Sequence, residues 1–167
     1  AASITNVLHG ARDNWFRPAD VCVAADGSLF VSDWYDPGVG GHRQGDIERG
    51  RLFRVAPAGT KYVTPKFDFL TAKGAVAALT NPALSVRYMA WTALEAMDSK
   101  AESELAKMAQ AKNPRHRVRA LWLLARIDGK ASHYIQQAAT DTDVDIRVAS
   151  ILIARSLKQD TIPLLKK

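Results

Sequence analysis

Cysteine is nearly missing: the chain of 167 residues has one, Cys22. A single thiol excludes an internal disulfide framework, any Cys-x-x-Cys site, and the Cys-x-x-Cys-His pattern that attaches a c-type haem. Long apolar runs are missing as well. None approaches the roughly 20 residues that cross a bilayer as a helix, so no transmembrane segment is expected in this chain. The first residues, Ala1-Ala2-Ser3, carry neither the basic region nor the apolar stretch of a secretion signal. No aromatic residue interrupts the densest basic cluster, Lys112, Arg115, His116, Arg117 and Arg119. That cluster therefore offers no platform on which bases would stack.

What remains is an ordinary globular composition, 47% hydrophobic and 24% charged, which excludes collagenous and disordered classes. Cys22 lies in the strand-like Asp20-Val21-Cys22-Val23-Ala24 and is expected in a core, where free cysteine usually sits. The net charge of +6 is uneven. Through Pro65 there are 7 Lys+Arg against 7 Asp+Glu, and from Lys66 onward 16 against 10. A basic helical surface attracts anions, but its expected role here is a solvated face.

The first third has the period and turn chemistry of strands. Val21-Cys22-Val23 is followed by Ala25-Asp26-Gly27-Ser28, where Gly27 suits a positive φ. Ser28-Leu29-Phe30-Val31-Ser32-Asp33 then alternates with a period of two. Arg51-Leu52-Phe53-Arg54-Val55 is a third strand, ending at Ala56-Pro57-Ala58-Gly59. The connection from Trp34 to Asp46 is long and glycine-rich, and loops of this kind are often functional. Its Asp36, His42 and Asp46, with Asp33 before them, form the one constellation suited to site chemistry. Trp34, Asp36, His42, Arg43 and Asp46 are candidate pocket-lining residues of a full-length protein. The carboxylates alternatively suit a hard cation, or the loop is structural, with Asp36-Pro37-Gly38 making a turn. No catalytic or metal-ligating set is assigned, and His116 and His133 have no metal-ligand partner at i+4.

Three strands cannot bury two faces and two edges by themselves. The strings Asn14-Trp15-Phe16-Arg17-Pro18-Ala19-Asp20, Asp33-Trp34-Tyr35-Asp36-Pro37-Gly38-Val39-Gly40-Gly41-His42 and Asp46-Ile47-Glu48-Arg49-Gly50-Arg51-Leu52-Phe53-Arg54-Val55 resemble the end of a propeller. The propeller is that of large bacterial membrane-bound-dehydrogenase-type proteins, which join a sorbosone-dehydrogenase-like β-propeller to HEAT repeats and a c-type haem domain. The resemblance covers residues 10–57. It implies that this chain is the last blade plus helical repeats of a periplasmic or membrane-associated bacterial protein. It also implies a quinone and a c-type haem as cofactors of the full-length protein and none in this chain. The parent would oxidise a sugar or alcohol, and its other blades and domains would be this chain's partners. The chain alone would be inactive, because the base histidine and most cofactor contacts of such enzymes come from other blades.

The remainder is read as internal repeats. Asn81-Pro82-Ala83-Leu84-Ser85-Val86-Arg87, Asn113-Pro114-Arg115-His116-Arg117-Val118-Arg119 and Thr142-Asp143-Val144-Asp145-Ile146-Arg147 align on a β-branched residue followed by arginine. The steps are 32 residues from Arg87 to Arg119 and 28 from Arg119 to Arg147. Asn81 and Asn113 suit N-caps, with Pro82 and Pro114 at the first helical position. The faces expected to pack are Tyr88, Trp91, Leu94 and Glu95 flanking Ala90 and Ala93; Leu121, Trp122, Leu124 and Ala125; and Ala149, Ile151, Leu152 and Ala154. Trp91 and Trp122 are expected in the core. Partner helices are expected over 71–79, 101–111, 131–139 and 160–165. Arg87, Arg119 and Arg147 form a structural ladder, with Asn113, Asp141 and Asp143 as acceptors.

The expected architecture is mainly α: a HEAT-like α-α superhelix over residues 66–167, preceded by a small antiparallel β-segment, a partial blade, over residues 1–65. Two other functions compete with the dehydrogenase fragment. One is a module that grips a protein on its helical stack. The other is a basic helical protein that binds nucleic acid, ranked last because a blade is not expected there.

Overall fold

The computed structural model describes residues 2–34 and 48–165. The described residues are mainly α-helical, with one small antiparallel sheet. The chain divides into two compact units, Ala1–Pro65 and Lys66–Lys167.

The first unit is built on a three-stranded antiparallel sheet in the order β1-β2-β3. Its strands are β1 (Pro18–Val23), β2 (Leu29–Asp33) and β3 (Arg51–Val55). The β1–β2 turn closes with Ala24 N–H donating to the Ser28 carbonyl at 2.8 Å, while Gly27 takes φ +85°. Asp26 fixes the same turn by accepting from the Ser28 amide and hydroxyl. Central β2 buries Val31 and Asp33, while every residue of edge strand β1 is exposed. The core expectation for Cys22 is thus corrected: it is exposed, beside exposed Val21 and Val23. The period-two pattern holds, but among the described residues of this unit nothing covers β1. Phe16 packs edge-on against Phe53 of β3, with centroids 5.7 Å apart.

The second unit comprises α1 (Ala72–Ala78), α2 (Leu84–Met97), α3 (Glu102–Met108), α4 (Pro114–Leu124), α5 (Ala131–Ala139), α6 (Val144–Ser156) and α7 (Ile162–Leu165). A short 3₁₀ turn, Asp98–Ala101, leads into α3. Helix α1 packs on α2, α3 on α4 and α5 on α6, and neighbouring pairs touch one another.

The longer helices of these pairs start at residues 84, 114 and 144, 30 residues apart. In that register the buried positions coincide. Ala90, Ala120 and Ser150 are each at most 1% exposed and are small enough for helices to approach closely. Four residues on, Leu94, Leu124 and Ala154 are buried; in the partner helices so are Ala75, Leu105 and Ile135. The Ser150 hydroxyl keeps its place in this row by donating to the Arg147 carbonyl at 2.6 Å.

Of the apolar faces read in the sequence, Leu121, Leu124 and Ala125 are buried as expected, as are Ala90, Leu94 and Ala154, whereas the faces of α2 and α6 are rotated. Tyr88 is 71% and Leu152 52% exposed, and Ala93, Ala149 and Ile151 are half-buried. Val86, Leu123, Ile146 and Ile153 are buried instead. Trp91 and Trp122 are also half-buried rather than core. The Arg126 guanidinium lies 5.8 Å from one ring centroid and 5.9 Å from the other, within cation–π reach. Because several apolar residues follow one another on each helix, a shift of one position still gives an amphipathic pattern, and the eye selects the larger side chains.

Capping sets the helix starts. Asn113 accepts from Arg115 N–H, and Asp143 accepts from Asp145 N–H. At the first repeat Asn81 is not the N-cap. It accepts from Ala83 N–H at 2.8 Å, and the helix begins at Leu84. Pro114 holds the first helical position, whereas Pro82 precedes its helix.

Thr71 caps α1 through Gly74 N–H, and Asp68 accepts from the Thr71 hydroxyl and from the Leu70 and Thr71 amides. A Cβ on Gly74 would collide with the Asp68 carbonyl and side chain. Gly74→Ala should therefore lower stability by about 1–3 kcal/mol despite its helix propensity, read by urea unfolding. Trp91→Ala and Trp122→Ala should each cost about 2 kcal/mol, below the 3–5 kcal/mol of a fully buried ring, in the same measurement.

Candidate functional site

Of the residues expected to line a pocket in the β-unit, the described structure includes Trp34. Asp36, His42, Arg43 and Asp46 lie outside the described residues. Trp34 is 59% exposed at the end of β2, and its amide donates to the Arg17 carbonyl at 3.0 Å. Asp33, the first carboxylate of that constellation, is 3% exposed and fully engaged. It accepts from Arg17 N–H at 2.5 Å and from Arg51 Nε at 2.8 Å, and Arg51 reaches Asp13 with its other end. The hydrogen bond from Arg51 holds the Asp13 carboxyl below the usual carboxylate range, and both acids raise Arg51. Such a carboxylate ties β2 to β3 and to the chain before β1, which is a structural role. Sequence reasoning missed Arg51 and Asp13, since nothing local connects residues so far apart.

A c-type haem does not fit this chain, because covalent attachment needs two cysteines and a histidine and Cys22 stands alone. Among the described residues no cluster of three or more His, Cys, Asp or Glu side chains could hold a metal ion. No helix among them is long and apolar enough to cross a membrane.

The second unit carries a more regular arrangement. Arg87, Arg117 and Arg147 occupy the fourth residue of α2, α4 and α6, and each folds back on its own preceding turn. Arg87 Nη1 donates to the Asn81 and Pro82 carbonyls, Arg117 Nη1 to those of Ala111 and Lys112, and Arg147 Nη1 to those of Asp141 and Thr142. These are corresponding atoms in three repeats. The ladder read from the sequence is thus corrected at its middle rung, which is Arg117 and not Arg119. Matching Val118-Arg119 to Val86-Arg87 displaced the alignment by two, because His116 stands where the flanking repeats have Val86 and Ile146. Asn113 and Asp143 are corrected too: their side chains cap helices by accepting from the backbone amides of Arg115 and Asp145, and among the described residues neither accepts from a guanidinium.

Arg117 alone completes the arrangement. Its Nε and Nη2 donate to the two Asp141 oxygens at 3.0 and 2.9 Å, a bidentate bond into the following repeat. Both side chains are about 15% exposed. Asp141 also accepts from Asp143 N–H, which locks the turn before α6. The Arg117 hydrogen bond holds the Asp141 carboxyl below the usual range against its partial burial. One seam further in, the residue corresponding to Asp141 is Ala111, and among the described residues Arg87 has no carboxylate partner.

Arg119 points the other way. It donates to the Leu79 carbonyl at 3.0 Å across that seam, and burial, Arg87 and Arg115 all depress its pKa. Leu79, Leu84, Tyr88 and Trp91 enclose with Arg87 and Arg119 an open pocket of about 350 Å³. A second polar tie joins α3 to α5: the Tyr134 hydroxyl donates to Glu102 at 2.6 Å. Burial and that carboxylate push the phenol up to about 12.

Comparison with protein-family models, curated proteins and solved structures gave no match.

Asp141→Ala should cost about 1–3 kcal/mol by denaturant unfolding, as loss of hydrogen bonds to a charged group does. The pH dependence has a definite sign. Because the Asp141 pKa is lowered in the folded state, its contribution is complete above the ordinary carboxylate value. It is lost as pH falls through the lowered one. Asp141→Asn should flatten the acid limb of a stability profile measured from pH 6 to pH 2.

Proposed function

We propose that the chain is one propeller blade followed by HEAT-like repeats, from a dehydrogenase-type parent, and that its helical unit is a scaffold that engages a protein surface. The observation that carries the scaffold is the 30-residue step at which helix starts, small buried residues and arginine-to-carbonyl bonds all recur. Repeats of this kind bury their cores between neighbours and leave long faces for partners. Apolar residues remain on those faces: Leu84 and Tyr88 on α2, and Val144, Val148 and Leu152 at successive turns of α6.

The blade is supported by the open three-stranded sheet, whose edge strand has all its residues exposed. The motif resemblance supplies the periplasmic or membrane-associated setting and the quinone and haem chemistry, which belong to the parent. A nucleic-acid role has less support. Of the basic cluster, Arg117 is bound to Asp141 and Arg119 to the Leu79 carbonyl, which leaves Lys112 and Arg115 exposed.

Catalysis by this chain alone is not expected, because a general base works only within hydrogen-bond reach of its proton, and the walls that would hold a substrate there belong to other blades. In a dye-linked assay with sugars and an added quinone, the chain should give no turnover, and turnover would refute the blade reading. In the full-length protein, His42→Ala should reduce activity if this loop lines the pocket. The open reading frame should carry further Asp-Gly blade sequences upstream and a Cys-x-x-Cys-His downstream.

A further inference from the structure

The two inter-repeat seams differ at one position of the arginine row. At the α4–α6 seam Arg117 meets the Asp141 carboxylate; at the α2–α4 seam Arg87 keeps the corresponding bonds to the Asn81 and Pro82 carbonyls, and the residue 30 before Asp141 is Ala111, which offers no acid. A guanidinium has five N–H donors, and Nη1 accounts for the bonds Arg87 makes within the fold. Arg119 lines the same space with one bond to the Leu79 carbonyl. Two cations therefore share a pocket without an acid among its lining residues, and they repel each other there. Around them the walls are apolar and aromatic: Leu79, Leu84, Tyr88 and Trp91.

We infer that this pocket between α2 and α4 binds a peptide segment of a partner protein in which a carboxylate stands next to a bulky apolar side chain. The carboxylate takes the place that Asp141 fills at the next seam, bridging Arg87 and Arg119, and the apolar side chain lies on Tyr88 and Trp91. About 350 Å³ is within the range of small-ligand sites. A peptide rather than a small acid is indicated by the rim, because Leu84 and Tyr88 are 70% and 71% exposed and Met89 beside them 55%. That apolar surface continues beyond the pocket, where only a longer ligand covers it. Charge complementarity fixes the sign of the partner: a basic segment would add a third cation, and an amide, though it can accept a hydrogen bond, would leave the charge of both guanidiniums unneutralised.

The site rests on the repeat-scaffold reading, and Ala111→Asp separates the two. In this variant the new carboxylate should clamp Arg87 as Asp141 clamps Arg117, raising Tm by a few degrees. The probes are two blocked fluorescent peptides, one containing Leu-Asp-Phe and the other Leu-Asn-Phe, titrated into the full chain. The Asp peptide should bind at least tenfold tighter than the Asn peptide. Ala111→Asp and Arg87→Gln should each weaken it about tenfold, and circular dichroism should show both variants folded. Equal binding of the two peptides, no binding of either at millimolar concentration, or indifference to both variants would overturn the site. A rise in Tm alongside any of these would leave the repeat register standing. Without that rise the register itself would fall.

Discussion

The planar guanidinium of Arg117 acts in two directions at once. Nη1 closes the carbonyls of the turn before its own helix, and Nε and Nη2 grip the carboxylate that organises the next turn. Backbone carbonyls in such turns have no helical partner and are costly to leave unpaired away from water. One side chain thus satisfies its own repeat and sets the distance to its neighbour. The small residues at 120 and 150 flank that seam, and their close packing suits helices held in this register. The arginines of all three repeats keep the inward half of the arrangement, and the outward half varies with residue 111 or 141.

The β-unit uses the same chemistry for a different end. Asp33 is buried at the end of the central strand, where an unpaired carboxylate would be strongly penalised. Arg51 from β3 and the Arg17 amide answer it, and Arg51 is itself shared with Asp13. Three segments distant in sequence are pinned at one point, which gives order to a sheet with little apolar cover. Arg54 repeats the device at the opposite end, linking Asp26, Ser28 and the Thr60 carbonyl.

Local signals in the sequence were readable where the physics is local. The Asp26-Gly27 hairpin, the third strand at residues 51–55 and the Asn113-Pro114 helix start all rest on turn or capping chemistry within a few residues. Register was not readable in the same way. Three arginines within five residues, at 115, 117 and 119, offered three alignments, and the one that preserved the β-branched neighbour was two residues out. A constant step of 30 for Arg87, Arg117 and Arg147 was the signal that would have found the clamp. The exposure of Cys22 and Tyr88 was hidden for another reason: a strand or helix pattern tells which residues share a face, not whether anything covers it. The pocket could not be foreseen at all, because it depends on which side chain is missing at position 111.

That missing carboxylate also has a mechanical meaning. In a row of repeats each unit is held by its neighbours, so the row is as cohesive as its weakest junction. The α4–α6 junction is riveted by a bidentate bond, and the α2–α4 junction is joined by packing, the reach of Arg119 to Leu79, the Asp128 amide's bond to Asp98 and the looser Arg126–Glu95 pair at 3.8 Å. Strain applied along the row would gather at the second junction, and local opening begins where cohesion is least. Residue 111 thus separates a stiff segment from a compliant one within a single helical array.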